Sequence, residues 1–185
     1  MNGAALLAAA LFAPAATPAS IDFGAVQLGD AAPRLLRVQA TDVTASGAGF
    51  SAALAPGGVL IVFEPYERGE PATGTLTLRT SSGTTRIKLR GIGIDTVAPR
   101  VTVEMPDVSR SGKRMTIRFS AIDNDLVTAM TLEVRGKVIG RLSWPASTYR
   151  WIVPAGLHGH VRITVSAVDR AGNRASATSK PVAVR

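Results

Sequence analysis

The sequence predicts an all-β protein of two tandem β-sandwiches, and three observations carry that prediction. Apolar and polar residues alternate with a period of two through most of the chain, as expected of strands buried on one face. Clusters of Gly, Pro, Asn, Asp and Ser interrupt the alternation at intervals of about 8–12 residues, the spacing of short strands joined by turns. No stretch beyond the N-terminal segment shows the apolar stripe of an amphipathic helix. With 46% hydrophobic and 18% charged residues, the 185-residue chain is too apolar to be a disordered tail. It has no cysteine, which excludes disulfides, zinc–thiolate sites and thiol nucleophiles.

The first element is a candidate export signal over residues 1–19. Ala4 to Phe12 is an uninterrupted apolar run of nine residues, Pro14 breaks it, and small residues follow through Ser20. Ala13-Pro14-Ala15 or Thr17-Pro18-Ala19 offers small side chains to a signal peptidase, although Met1-Asn2-Gly3 lacks the usual basic residue. A bilayer span needs about 20 apolar residues, so the run reads as a cleavable signal rather than an anchor. No later segment is long or apolar enough to cross a membrane. The mature chain is therefore expected to be exported, to the periplasm, the cell surface or the medium, with no membrane span.

The first half runs from 20 to 94. Leu76 and Leu78 point one way and Thr75, Thr77 and Arg79 the other. Ile87 and Leu89 oppose Arg86, Lys88 and Arg90, with Ser81-Ser82-Gly83 as the turn between. Gly91-Ile92-Gly93-Ile94-Asp95-Thr96-Val97-Ala98-Pro99 then reads as a short linker. In the second half, 95–185, Met115, Ile117, Phe119 and Ala121 oppose Thr116, Arg118 and Ser120. Leu132 and Val134 precede a turn at Gly136 that leads into Val138–Leu142. Val161, Ile163, Val165 and Ala167 form one expected strand against Arg162, Thr164 and Ser166. It runs into the turn Asp169-Arg170-Ala171-Gly172-Asn173 and out along Arg174–Thr178.

In the first half, Asp22-Phe23-Gly24-Ala25-Val26-Gln27-Leu28-Gly29, Leu54-Ala55-Pro56-Gly57, Val62-Phe63-Glu64-Pro65, Gly74-Thr75-Leu76 and Leu89-Arg90-Gly91-Ile92-Gly93 resemble the choice-of-anchor D immunoglobulin-like domains. These are relatives of the abnormal-spindle/Hydin-type and major-sperm-protein-like sandwiches. The likeness departs at Gln39–Val43, where that family usually carries an Asn-x-Gly turn. The second half is similar to bacterial immunoglobulin-like surface repeats, through Asp95-Thr96-Val97-Ala98-Pro99, Ser120-Ala121-Ile122-Asp123-Asn124 and Ala167-Val168-Asp169-Arg170-Ala171-Gly172-Asn173. Both resemblances imply two tandem immunoglobulin-like sandwiches in a surface or extracellular setting. Neither implies a reaction.

Residues able to carry chemistry are few. The only histidines are His158 and His160, two apart, which in a strand share a face but are too few to hold a metal unaided. No Gly-x-Ser-x-Gly elbow or phosphate-cradling glycine loop is present, so an enzyme is not expected. Asp95, Asp123, Asp125, Asp169 and Asn173 have the hard oxygens calcium takes, but they are scattered in sequence and lack an Asp-x-Asp-x-Asp run. They read first as turn residues, whose side chains bond nearby backbone, and no cofactor is expected. Trp151 is expected in the core, Tyr149 lies two residues before it, and Trp144, before Pro145, is the aromatic most suited to exposure.

Charge divides unequally. Residues 20–94 hold 7 basic and 6 acidic side chains, net +1, whereas residues 95–185 hold 14 and 7, net +7. Arg118, Arg135, Arg162 and Arg174 are expected to point outward, where with Trp144 they form a candidate ligand-binding set. The basic residues form no dense run with interleaved aromatics, which disfavours nucleic acid. The expected function is a structural, adhesive or assembly module whose partner is a protein or a cell-envelope polymer. The alternative is a binding module for an acidic glycan or envelope polymer using the basic second half, and a weaker one is a periplasmic chaperone.

Overall fold

The computed structural model describes residues 17–185. Most of the expected signal, residues 1–16, lies outside the described residues. The protein is all-β and consists of tandem immunoglobulin-like sandwiches, in two compact units, the first ending at Ile94 and the second covering Asp95–Arg185. Among the described residues no helix is long and apolar enough to cross a membrane.

Unit 1 contains β1 (Ser20–Gln27), β2 (Ala32–Leu36), β3 (Asp42–Ser46), β4 (Phe50–Ala55), β5 (Gly58–Phe63), β6 (Pro71–Thr80) and β7 (Gly83–Ile94). They form two sheets, β1-β7-β6-β3 and β2-β5-β4, with β1 parallel to β7 and the other pairs antiparallel. The alternation read from the sequence sets which side chains go inward: Leu76, Leu78, Ile87 and Leu89 are buried, and Arg86, Lys88 and Arg90 are exposed. Three phenylalanines, Phe23, Phe50 and Phe63, pack together with ring centroids 4.6–5.8 Å apart, a spacing at which aromatic pairs add to plain burial. Gly91 is required by this cluster, because a Cβ there would lie 2.4 Å from the Phe63 ring. At the segment that departs from the resembled family, residues 37–41 connect β2 to β3, and Thr41 N–H bonds to the Arg79 carbonyl at 2.8 Å.

Unit 2 contains β8 (Arg100–Glu104), β9 (Val108–Ser109), β10 (Arg114–Ile122), β11 (Val127–Val134), β12 (Lys137–Leu142), β13 (Thr148–Ile152), β14 (Gly159–Val161), β15 (Ile163–Asp169), β16 (Arg174–Thr178) and β17 (Val182–Val184). The sheets are β13-β10-β8, β12-β11-β15-β16 and the small β14-β17-β9. One core joins them, with Met115, Ile117 and Phe119 of β10, Leu132 and Val134 of β11, Trp151 of β13 and Ile163, Val165 and Ala167 of β15. Trp151 is buried, as its position in the strand pattern requires. Between β11 and β12, Arg135 (φ 50°) and Gly136 (φ 73°) both take left-handed backbone, the geometry of the two-residue hairpin turn that matches strand twist.

The single strand expected from Val161 to Ala167 is instead two. Val161 pairs with Val182 of β17, while Ile163 onward pairs with β11 and β16. The chain changes sheets at Arg162. Ser179, buried, closes the gap: its hydroxyl accepts the Ile163 N–H at 3.0 Å and donates to the Lys180 carbonyl at 2.8 Å. Alternation of side chains is blind to this switch, because both strands keep their apolar residues on the core side.

Candidate functional site

Two groups of charged side chains stand out in unit 2, one acidic and one basic. The aspartates far apart in sequence converge, contrary to their scattered appearance. Asp95 opens the unit, Asp123 follows β10 and Asp169 ends β15, and one carboxylate oxygen from each lies within 4.8 Å of the others. Asp125 stays apart in an ion pair with Arg170, Nη2 to Oδ1 at 3.0 Å and Nε to Oδ2 at 3.3 Å.

Each of the three is held by turn chemistry. Asp95 Oδ1 accepts the Val97 N–H at 3.1 Å and Asp123 Oδ1 the Asp125 N–H at 2.9 Å, both two residues on, the aspartate-to-backbone bond that favours this residue in turns. Asp169, only 2% exposed, accepts the backbone N–H of Asn173 at 2.9 Å and its side-chain amide at 2.8 Å. The same amide reaches the carbonyls of Val97 at 3.0 Å and Asp95 at 3.2 Å. Asn173 therefore ties the β15–β16 turn to residues 95–97, a long-range role that its place in a common turn motif conceals.

Burial pushes the Asp123 carboxyl above its ordinary value of 3.8. The Asp125 N–H opposes that rise, and the charges of Asp95, Asp169 and Asp125 add to it. Asp123 Oδ2 is buried and has no hydrogen-bond partner among the described residues. Chemically, Asp95, Asp123 and Asp169 are the residues that could hold a proton between them or offer hard oxygens to a divalent cation.

The basic group lies on the β13-β10-β8 sheet. Arg114, Thr116 and Arg118 of β10 are exposed, with Met115 and Ile117 between them buried. Cross-strand register places Arg150 opposite Thr116, and Thr148 and Glu104 on either side of Arg118. Because β8 pairs with β10 only from Arg118 onward, residues 105–109 diverge and leave a cleft of about 520 Å³. Arg110, Lys113, Arg114 and Arg118 line it, with Glu104 the one carboxylate among the lining residues.

The residues singled out from sequence do not form one patch. Arg135 and Arg162 line an open depression of about 970 Å³ together with His160. There Arg162 Nη1 donates to the Ser179 carbonyl at 3.3 Å. Arg118 belongs to the β10 cleft, and Arg174 is exposed on β16, paired with Val168 of β15. Trp144 is 56% exposed in the loop between β12 and β13 and lines none of these clefts. Tyr149 is half-buried, its hydroxyl bonded to the Ile139 carbonyl. His160 pairs with Ala183 in β14, and both histidines are exposed. Arg110, Lys113, Arg114 and Arg150 were not singled out from the sequence, although charge summed over neighbouring strands would have found Arg114 and Arg150.

No protein-family profile matches the chain, and no curated protein sequence matches it. Similar solved structures include fibronectin(III)-like modules of Clostridium thermocellum CbhA, at 17% identity and TM-score 0.45, covering 94% of this chain and 93% of that chain. The titin domains z1z2, solved in complex with telethonin, match at 14% identity and TM-score 0.44, covering 89% of this chain and 92% of that chain. Titin A168169 matches at 14% identity and TM-score 0.43, covering 90% of this chain and 96% of that chain. The immunoglobulin-like architecture stated above rests on the strand order and two-sheet core of the protein itself.

Proposed function

We propose that this chain is a non-enzymatic, exported structural or adhesive module that works through the outward faces of its sheets. One observation carries the reading: unit 1 presents an apolar face to solvent. Leu35 of β2, Leu60 of β5 and Ala53 of β4 are in register across the β2-β5-β4 sheet. Leu35 is 50% and Leu60 36% exposed, and Pro33 and Val62 continue the face one pair further on. A contiguous apolar area of this kind on a soluble domain marks a contact site. Its flanking strands β2 and β4 end the sheet, with backbone groups able to pair with another chain. The partner this chemistry fits is a protein or a second copy of the module.

The test places a photo-crosslinking residue at Leu35 in the mature protein on intact cells. A discrete adduct that disappears in a Leu60→Ser background supports the reading. A protein that forms no adduct yet turns over a substrate would sink it. A second reading, a binding module for an acidic glycan or envelope polymer, is supported by the exposed cations of unit 2.

A further inference from the structure

We infer that the cleft beside the first half of β10 binds a linear acidic polysaccharide, with Arg110, Lys113, Arg114 and Arg118 engaging successive anionic groups. The inference rests on the second reading above and names its site. Charge is the first reason. Four cations face one carboxylate in a single cleft, and among the described residues none of the four takes part in an ion pair. Arg150, exposed on the neighbouring strand, extends the positive field across the sheet. A one-signed cleft with low-dielectric walls concentrates ligands of opposite charge.

Arrangement is the second reason. Arg114 and Arg118 are four residues apart on one strand, so their Cα atoms are about 13 Å apart at the usual rise. That spacing suits a chain of repeating anions better than a single phosphate or metabolite. Guanidinium groups take carboxylates and sulfates through paired hydrogen bonds, and the hydroxyls of Thr116 and Thr148, beside Arg118 on the same face, suit sugar hydroxyls.

The remaining side chains favour a polysaccharide over other polyanions. Of the aromatics of these two strands, Phe119 and Trp151 are buried and Tyr149 packs half-buried against the core with its hydroxyl on the Ile139 carbonyl, which leaves no platform on which unpaired bases could stack. The exposed isoleucines of this face sit at opposite ends of β10, Ile122 at its end and Ile152 across from Arg114. They are too far apart to enter a lipid surface as one patch.

The experiment measures binding of the full mature chain to polygalacturonate, dextran sulfate, uncharged dextran, duplex DNA and vesicles containing phosphatidylglycerol. Three proteins are compared: wild type, the double variant Arg114→Ser/Arg118→Ser, and Arg86→Ser, which removes an exposed arginine of unit 1. The expected result is salt-sensitive binding to the two acidic polysaccharides and none to dextran. The double variant should bind about tenfold more weakly with a shallower salt dependence, and Arg86→Ser should behave as wild type. Circular dichroism confirms that the exposed substitutions leave the fold intact. Three results overturn the inference. Tighter binding to DNA or vesicles gives the site to another polyanion. Undiminished polysaccharide binding by the double variant moves the site and leaves the second reading standing. No retention of either acidic polysaccharide at low salt removes the second reading as well.

Discussion

The two units share an architecture but place their chemistry differently. Unit 1 is held by apolar packing around Phe23, Phe50 and Phe63, is close to neutral and shows solvent an apolar sheet face. Unit 2 has a core of aliphatic residues, Phe119 and Trp151, braces its loops through buried Asp169 and Ser179, and carries nearly all the excess positive charge. A β-sandwich uses one set of alternate residues for its core and leaves the other set to vary. In unit 1 the free set on one sheet is apolar, and in unit 2 it is arginine-rich. What each unit can bind follows from that outward set and not from the fold.

The largest effect should come from the aromatic cluster. Phe63→Ala removes a fully buried ring that touches Phe23, Phe50 and the Gly91 backbone, and deletions of this kind cost about 3–5 kcal/mol. Both tryptophans, Trp144 and Trp151, lie in unit 2, so their fluorescence follows that unit alone while far-UV circular dichroism follows both. Phe63→Ala is expected to lower the unfolding midpoint seen by dichroism and leave the fluorescence midpoint in place. A shift of both together would show that the units unfold as one.

Asn173→Ala should act on unit 2 in the same assay. It strips the side-chain donor from Asp169 and from the carbonyls of Asp95 and Val97, and leaving a buried acceptor unsatisfied costs about 1–3 kcal/mol. The fluorescence midpoint is expected to fall. An unchanged midpoint would mean that the β15–β16 turn holds residues 95–97 by its backbone alone. Ser179→Ala should come next, at about 1 kcal/mol or somewhat more, since Ile163 N–H then loses its acceptor at the point where the chain changes sheets.

The outcomes for fold and for site show where a sequence is informative. Period-two alternation reported the buried faces of β6, β7, β10 and β15 because each strand's inward set must be apolar whatever it pairs with. It did not report pairing partners, so the sheet change at Arg162 passed unseen. The aspartates were legible one by one as turn residues. Their convergence was not, because Asp95, Asp123 and Asp169 come from three separate stretches of the chain that only the folded topology brings to one place. The basic face was half legible: Arg118 was marked as outward, and Arg114 shares its face of the same strand, but Arg150 joins them through register with β13, which a single strand's pattern cannot contain.

The smallest effect separates the acidic group from the rest of unit 2. Burial and the neighbouring charges of Asp95, Asp169 and Asp125 hold the Asp123 carboxyl above 3.8 in the folded chain, so the folded state binds its proton more tightly than the unfolded state does. The stabilisation that comes with the proton is complete below about pH 4 and is lost as pH rises through the raised value. At neutral pH the ionised Asp123 therefore destabilises unit 2, and Arg170 is already engaged with Asp125. Asp123→Asn keeps the Oδ1 acceptor for the Asp125 N–H and removes the charge. In a chelating buffer it should unfold at a higher midpoint than wild type at pH 7, with the gap closing as pH falls toward 4. If the three carboxylates take up calcium, calcium chloride raises the wild-type midpoint and moves the variant less. A variant less stable than wild type at pH 7 in chelator would show that the ionised carboxylate is a net support of the loops.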